Sequence, residues 1–222
     1  MLNSFEEGRV ILVNKPLRWT SADVVKKIRN RVHAKVGHAG TLDPLATGLL
    51  ILCTGKYTKR INEFMAREKE YTGIFTLGAT TASYDLETIP ENPKDYQFVN
   101  PAALKEAEKE FTGEILQVPP VYSAIKKRGE RSYDLARQGR AVPLEGRTIS
   151  IKEFEMQISQ LPDISFRVVC STGTYIRSLA NDVGQLLGCG AYLSSLCRTR
   201  IGEFRLEDAI DPDGELEIRK DN

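Results

Sequence analysis

The sequence predicts an α+β fold in which a mainly antiparallel sheet is flanked by helices. Two observations support this class: strand-like segments often follow one another directly, and helix-like segments are interspersed irregularly among them. A doubly wound sheet would need a regular alternation of strands and helices, which this chain lacks. The sequence also shows no internal repeat, no low-complexity segment and no linker rich in Gly or Ser.

The N-terminal part predicts two strands and two helices. An apolar strand at 9–13 ends at Asn14-Lys15-Pro16, and Thr20 and Asp23 have capping-box spacing at the start of a helix. The continuous apolar run 49–53 is typical of a buried strand, and 57–65 is helical in pattern. The first helix presents one apolar stripe, formed by Val24, Val25, Ile28 and Val32.

The middle of the chain predicts two strands and two helices. Residues 70–80 alternate and include β-branched and aromatic side chains, which indicates a strand. Asn100 and Pro101 then form an N-cap and first-turn pair for a helix that runs to Phe111. A short strand at 113–118 stops at two prolines, and a short helix is predicted at 132–138.

The C-terminal part predicts three strands and the clearest helix. Residues 148–158 alternate, but their parity changes between Ile151 and Phe154, so we expect a bulge or bend. Strands follow at 164–171 and 191–200. Between them, 174–187 has apolar residues at helical spacing and ends at a glycine, so Tyr175 and Arg177 are predicted in its first turn.

Composition describes an ordinary globular chain. Its 222 residues, 41% hydrophobic and 27% charged, suit one large domain, or one domain with a small appendage. We expect a catalytic domain over 1–210 and a short acidic tail over 211–222. No apolar run has the length of a membrane span, and the N-terminus lacks the layout of a signal peptide, so no membrane association is expected.

The cysteines and histidines argue against a structural zinc site. Four cysteines occur without a C-x-x-C pair, and the chain has only two histidines. Cys53 and Cys170 lie in apolar strands, where they act as small buried hydrophobes. This pattern predicts a reducing, cytoplasmic location.

The charge distribution is compatible with a nucleic-acid partner. The net charge is only +1, but basic residues cluster in three places and the C-terminal end is acidic. Composition alone supports ordinary solvated faces equally well. The clusters are Lys26, Lys27, Arg29, Arg31 and Lys35; Lys126, Lys127, Arg128 and Arg131; and Arg198 and Arg200.

One loop carries the strongest functional signal. Residues 37–48, GHAGTLDPLATG, place Asp43 in a segment stiffened by Pro44 and followed by the buried strand. A carboxylate on a tight loop beside a rigid strand is a common arrangement for chemistry. Asp, Pro and Gly are also ordinary turn residues, and on composition alone the role of capping a turn is favoured for Asp43.

The chain resembles the tRNA pseudouridine synthase B family, whose members isomerise uridine 55 in the T loop of tRNA. The resemblance extends over nearly the whole chain, in the order of the family's motifs. It implies the pseudouridine synthase fold. The motifs are NKP at 14–16, GHAGTLDPLATG at 37–48, KEYTG at 69–73, PPVYSAIK at 119–126, GTYIRSLA at 173–180 and LCRTRIGEF at 196–204.

The resemblance implies that Asp43 is the catalytic aspartate and that Arg177 pairs with it. Such an arginine would keep the carboxylate ionised and oriented. The reaction breaks one glycosidic bond and joins the base again through carbon, so no cofactor or metal is expected. A hydrolytic glycosidase would usually show two working carboxylates, whereas the loop holds one. Taken without the resemblance, Arg177 could also be a surface arginine near a helix start.

The same resemblance assigns the remaining residues of the site. Tyr71 would stack on the target base and accept or relay the C5 proton. Without the resemblance, Tyr71, Tyr175 and Leu196 would be ordinary core residues. Substrate-binding roles fall to Tyr175 and Leu196, which would line the uracil pocket, to His38, which would meet the RNA, and to Lys15 and Lys126, which would support the loop or touch RNA.

The predicted partner is the T stem-loop of tRNA, bound by a monomer with no protein partner. The target base would leave the stack to enter the pocket, and the basic segment 122–140 would close over the RNA. Family members often continue into a C-terminal RNA-binding domain, which we do not expect here. Two alternatives remain: a guide-RNA-dependent pseudouridylase of the same superfamily, and a non-catalytic RNA-binding module.

Overall fold

The structure, a computed structural model, describes residues 4–123, 126–127, 130–131, 138, 140 and 144–216. The chain forms two compact units. Unit 1 contains residues 1–71 and 196–222, and unit 2 contains residues 72–195. The chain passes between the units within two strands, Lys69–Leu77 and Ala191–Ile201.

Helices and strands occur in the order that follows. The helices are α1 (Ser4–Glu7), α2 (Ser21–Val32), α3 (Ile61–Met65), α4 (Pro101–Phe111) and α5 (Ile176–Leu187), with 3₁₀ turns at Gly55–Arg60 and Leu206–Asp208. The strands are β1 (Val10–Lys15), β2 (Val36–His38), β3 (Ala46–Thr54), β4 (Lys69–Leu77), β5 (Gly113–Gln117), β6 (Lys126–Lys127), β7 (Glu130–Arg131), β8 (Arg147–Gln160), β9 (Asp163–Cys170), β10 (Ala191–Ile201) and β11 (Phe204–Arg205).

Unit 1 is built around β3, which is buried on both faces. β1 and β2 pair antiparallel with β3, while the end of β10 runs parallel to its start. On one face, Leu50 and Leu52 pack with the apolar stripe of α2; on the other, Leu49 and Ile51 pack with α3. This two-sided burial explains why the sequence of β3 is continuously apolar rather than alternating.

Unit 2 is a sheet with helices packed against it. Its strands follow the order β10-β4-β9-β8-β5, and both the β8–β9 and β5–β8 pairs are antiparallel. The register shifts between Ile151 and Glu153, which confirms the bulge that the change in parity predicted. Helix α5 buries its apolar face and ends at Gly188 in the left-handed conformation, as predicted.

The predicted fold class is confirmed, and most of the predicted elements are present. Thr20 and Asp23 form a capping box, and the side chain of Asn100 accepts from the amide of Ala103. Cys53 and Cys170 are buried, as predicted. The helix predicted over 57–65 is a 3₁₀ turn followed by a short α-helix. The helix predicted at 132–138 lies almost wholly outside the described residues.

The described part of the acidic tail packs on α2. Arg31 donates to the carbonyl oxygens of Pro212 at 2.7 Å and of Gly214 at 2.6 Å, and Lys27 forms an ion pair with Asp213. Two members of the first basic cluster are therefore already engaged within unit 1. The division into a catalytic domain over 1–210 and a tail over 211–222 stays a prediction.

Candidate active site

The loop that carries Asp43 is anchored on both sides of this residue. The hydroxyl of Ser21, at the start of α2, accepts from the amide of Leu42 at 2.9 Å and donates to its carbonyl at 3.3 Å. On the other side, the carbonyl of Pro44 accepts from the amide of Arg18 at 2.8 Å. Asp43 itself is half-buried, and its own carbonyl closes a turn with the amide of Ala46 at 3.0 Å. The backbone of Asp43 is thus fixed on both sides, which limits the positions that its carboxylate can adopt.

Lys15 lies buried beneath this loop, with none of its surface exposed. Its ammonium donates to three carbonyl oxygens, those of Trp19 at 2.6 Å, Pro16 at 3.0 Å and Pro44 at 3.5 Å. Burial lowers the pKa of Lys15 to about 8, although the negative charge of Asp43 opposes this shift. These contacts support the loop-holding role of Lys15, and its role in binding substrate stays a prediction.

Leu196 and Arg198 follow each other on one face of β10. Leu196 is buried and pairs in register with Ala46, at the point where the loop enters β3. Arg198 is only 1% exposed, so its prediction as part of a basic surface cluster is wrong. Its guanidinium donates to the carbonyls of Leu49 at 2.8 Å and Gly40 at 3.1 Å, which keep it in the interior.

His38 and Tyr71 complete the predicted site residues of unit 1. His38 lies half-buried on β2. Burial lowers the pKa of His38 and the charge of Arg198 lowers it further, while a hydrogen bond with the Gly40 backbone opposes the shift, so the neutral imidazole is favoured. Tyr71 lies on β4 and is buried.

Arg177 is buried in unit 2, which excludes its interpretation as a surface arginine. It lies in the first turn of α5 and is 4% exposed. One terminal nitrogen donates to the carbonyl of Ser83 at 3.2 Å, and its Nε lies 3.7 Å from Oδ2 of Asp85. The other oxygen of Asp85 accepts from the Ser83 hydroxyl at 2.6 Å and from the Glu87 amide at 3.0 Å. The predicted pairing of Arg177 with Asp43 stays a prediction.

Tyr175 occupies the N-cap position of α5 rather than its first turn, because its backbone is extended at φ −99° and ψ 110°. The buried Gln117 side chain fixes this residue, accepting from the Tyr175 amide at 2.8 Å and donating to its carbonyl at 3.1 Å. The guanidinium of Arg147 lies 4.8 Å from the centre of the tyrosine ring. The ring is therefore held in a defined position.

Several residues that shape the site escaped the sequence analysis. The sequence assigned no role in the site to five residues that contact the Asp43 loop or a predicted site residue: Ser21, Ser83, Asp85, Gln117 and Arg198. Only Arg198 gave a signal, as a charge in an otherwise alternating strand. Lys126 lies on β6, which pairs with β7, and its side chain is outside the description.

Among the described residues, no group of three or more His, Cys, Asp or Glu side chains could hold a metal ion. No helix in those same ranges is long and apolar enough to cross a membrane. In unit 1, the groups that the predicted chemistry would use are the Asp43 carboxylate on its anchored loop and the hydroxyl of the buried Tyr71. In unit 2, the corresponding group is the buried ion pair of Arg177 with Asp85.

Comparison with known proteins identifies the family. The model of the TruB family of pseudouridylate synthases, N-terminal domain, matches residues 26–176. The chain belongs to the TruB family. It is 51% identical to tRNA pseudouridine synthase B of Flavobacterium johnsoniae, over 92% of this chain and 93% of that protein. The protein of the same name in Chlorobaculum tepidum is 46% identical, over 94% of this chain and 89% of its own length. The resemblance to the family is thereby confirmed.

Solved structures share the fold of this TruB family member. A complex of Cbf5 with Nop10 and Gar1 matches with a TM-score of 0.70 and 32% identity, over 93% of this chain and 53% of that one. An H/ACA ribonucleoprotein bound to a substrate RNA containing 2′-deoxyuridine matches with a TM-score of 0.68 and 29% identity, over 95% of this chain and 53% of that one. The chain spans about half the length of these solved chains.

Proposed function

We propose that this protein is a tRNA pseudouridine synthase, an isomerase that converts uridine 55 in the T loop to pseudouridine. The observation that carries the proposal is Asp43, a carboxylate on a loop held by Ser21 and Lys15, in a chain of the TruB family. Relatives named tRNA pseudouridine synthase B match more than nine-tenths of the chain at about half identity, which supports tRNA as the substrate.

The reaction needs little machinery. The C1′–N1 bond of the uridine breaks, the uracil turns over, and C5 bonds to C1′. C5 loses one proton and N1 gains one, so the product is an isomer of the substrate and no oxidant, reductant or donor is consumed. One carboxylate beside the sugar or the base can act as the nucleophile or the base in this sequence. Asp43 takes this role in the proposal.

The other residues hold the carboxylate and the base. Arg177 keeps Asp43 ionised and oriented, and Tyr71 stacks on the uracil and accepts or relays the C5 proton. The uracil pocket is lined by Tyr175 and Leu196. The remaining substrate-binding residues of the proposal are His38, Lys15 and Lys126. Gln117 holds the backbone of Tyr175, and the Arg147 guanidinium lies against its ring. This supports the arrangement because a flipped base needs a rigid surface to bind against.

Recognition would depend on the folded shape of the T stem-loop and on its phosphates. The target uridine must leave the stack because C1′ and C5 are otherwise out of reach. We further propose that the enzyme acts as a monomer in the cytoplasm, without a cofactor or a protein partner. Cys53 and Cys170 are buried as small hydrophobes, which supports a reducing compartment.

The decisive experiment incubates the protein alone with an unmodified tRNA transcript and maps pseudouridine by chemical derivatisation and sequencing. We expect a single modification, at uridine 55. Asp43→Asn should abolish it while the affinity for tRNA stays within about threefold, because the amide keeps the shape of the side chain but cannot act as a nucleophile or base. Asp95→Asn, at a carboxylate that only caps a turn with the Gln97 amide, is the matched control and should retain full activity.

The same experiment separates the alternatives. Modification that requires an added guide RNA would replace the proposal with guide-dependent pseudouridylation. Tight tRNA binding with no modification under either condition would point to a binding module. Full activity of Asp43→Asn would remove Asp43 from the mechanism.

A further inference from the structure

We propose that Arg198 is the positioning residue that fixes the catalytic loop, by joining the two ends of the segment that carries Asp43. The inference rests on the proposed function of Asp43. Arg198 itself would not touch the substrate; it would act on the rate through the geometry of the loop.

The contacts of Arg198 span the loop. Its guanidinium donates to the carbonyl of Gly40, three residues before Asp43, and to that of Leu49, six residues after it. Both bonds are of normal length, 3.1 Å and 2.8 Å, and the side chain is 1% exposed. A single buried cation therefore closes the loop at both ends, and water has little access to compete for either carbonyl.

An arginine suits this position better than another cation. The guanidinium is planar and presents its donors as a rigid fork, so it can bond two carbonyls at once in fixed directions. A lysine ammonium is a compact point charge on a flexible stem, and it does not reproduce that geometry. The loop already uses a lysine elsewhere, since Lys15 takes the carbonyl of Pro44.

The backbone of Arg198 is also fixed against the loop. Arg198 pairs in register with Gly48 in the parallel ladder between β10 and β3. A β-carbon at Gly48 would lie 2.4 Å from the carbonyl oxygen of Arg198, so only glycine permits this approach. Leu196, which the proposed function places in the uracil pocket, precedes Arg198 on the same face of β10. Strand β10 thus carries both Leu196, the proposed pocket residue, and Arg198, the residue that holds the Asp43 loop.

A purely structural cation would stabilise unit 1 as a whole, whereas a positioning residue controls the loop. The two roles differ in what Arg198→Lys does, because this variant keeps the charge and much of the volume but loses the fork. The matched control is Arg200→Lys, which lies two residues further along β10 and bonds Glu68 and Gly202 instead of the loop.

The experiment combines hydrogen–deuterium exchange with single-turnover kinetics on T stem-loop RNA. We expect Arg198→Lys to speed exchange at amides of residues 40–49 while the rest of unit 1 stays protected. The single-turnover rate should fall about 10²-fold, the loss that a displacement of about 1 Å can cause, with the Kd for RNA within about threefold. Arg200→Lys should change neither the loop exchange nor the rate by more than about threefold.

Three results would overturn the proposal: unchanged exchange at 40–49, a rate loss no larger than that of Arg200→Lys, or faster exchange throughout unit 1. Faster exchange throughout unit 1 would show that the variant folds poorly, and so that Arg198 stabilises the unit as a whole. Failure of the proposed function is distinguishable, because it would show as absence of pseudouridine with the wild-type protein. The exchange measurement would then still decide whether Arg198 holds the loop.

Discussion

Asp85 holds the side chain of Arg177: Oδ2 of the carboxylate lies 3.7 Å from Nε of the guanidinium. Both side chains are buried, with 5% of Arg177 and 7% of Asp85 exposed. The carbonyl of Ser83 takes one terminal nitrogen of the same arginine. Because Ser83 and Asp85 bracket a single residue, one short turn supplies both the countercharge and the carbonyl acceptor that orient Arg177. The arginine that the proposed function pairs with Asp43 is thus positioned before any RNA binds.

Asp85→Asn should cost both activity and stability. The substitution leaves a buried guanidinium beside a neutral amide, and removal of one partner of a buried pair typically costs about 3 kcal/mol or more. We expect the free energy of unfolding in urea to fall by about that amount. The single-turnover rate of pseudouridine formation should fall about 10²-fold with little change in the Kd for tRNA. Asp95→Asn is the control, and an equal loss in both variants would remove Asp85 from the site.

Ser83→Ala tests the support of Asp85 more gently. The hydroxyl donates to Oδ1 of Asp85 at 2.6 Å and also lies 2.9 Å from the hydroxyl of Thr88. Loss of this buried hydrogen bond should cost about 1 kcal/mol and slow the single-turnover rate by about tenfold, less than Asp85→Asn. Ser165→Ala, whose hydroxyl bonds the carbonyl of Gln157 on the exposed side of the β8–β9 pair, should change the rate by less than twofold, about 0.4 kcal/mol. Equal rates for both alanine variants would contradict the expected role of Ser83.

Local signals explain what the sequence predicted well. The capping box at Thr20, the N-cap at Asn100 and the terminal Gly188 involve residues within a few positions of one another, so their patterns are legible along the chain. The bulge in β8 was legible for the same reason, since a change of parity is a local property. Asp43 could be singled out as a candidate for the same reason, since its loop motif is contiguous.

Long-range contacts explain what the sequence did not predict. The bond from Arg177 to Ser83 joins residues 94 positions apart, and that from Arg198 to Gly40 joins residues 158 apart. In neither pair does the sequence around one residue indicate that the other residue is its partner. Arg198 looked like a surface charge because a buried arginine differs from an exposed one only in its partners. Tyr175 was predicted in the first turn of α5 but is its N-cap residue, because the side chain of Gln117 holds its backbone extended.

Lys15 should give the protein a distinct pH dependence. In the folded state the pKa of Lys15 is about 8, below its ordinary value of 10.5. Between these values the unfolded chain binds more protons, so stability rises with pH. The contribution is complete above about pH 10.5 and is lost as the pH falls through about 8. We expect the wild-type free energy of unfolding to gain up to about 1.4 kcal/mol per pH unit over this range relative to Lys15→Met.

Urea unfolding of both proteins at pH 7, 8, 9 and 10 checks this expectation, because other titrating groups contribute equally to the two and cancel in the difference. Lys56→Met, at an exposed lysine of the Gly55–Arg60 turn, is the control and should follow the wild type at every pH. Identical pH slopes for wild type and Lys15→Met would show that the ammonium is solvated rather than enclosed by its three carbonyls.

Gly48 and Gly113 form a matched pair that isolates the close approach of β3 to β10. Both have φ of +103°, but a β-carbon at Gly48 would meet the Arg198 carbonyl oxygen at 2.4 Å, whereas one at Gly113 would meet no atom within 4 Å. Gly113→Ala therefore carries only the cost of the left-handed backbone, about 1–2 kcal/mol. Gly48→Ala carries the same cost and a collision with backbone, so we expect a loss of about 3 kcal/mol or more.

Urea unfolding measures the two losses, and the difference between them reports the collision alone because the conformational cost is common to both. Gly48→Ala should also reduce the rate of pseudouridine formation, since the ladder it disturbs places Leu196 and holds the end of the Asp43 loop. Equal losses of stability would mean that β3 and β10 separate without penalty at this position. The loop would then be held in place mainly by its hydrogen bonds with Ser21 and Lys15.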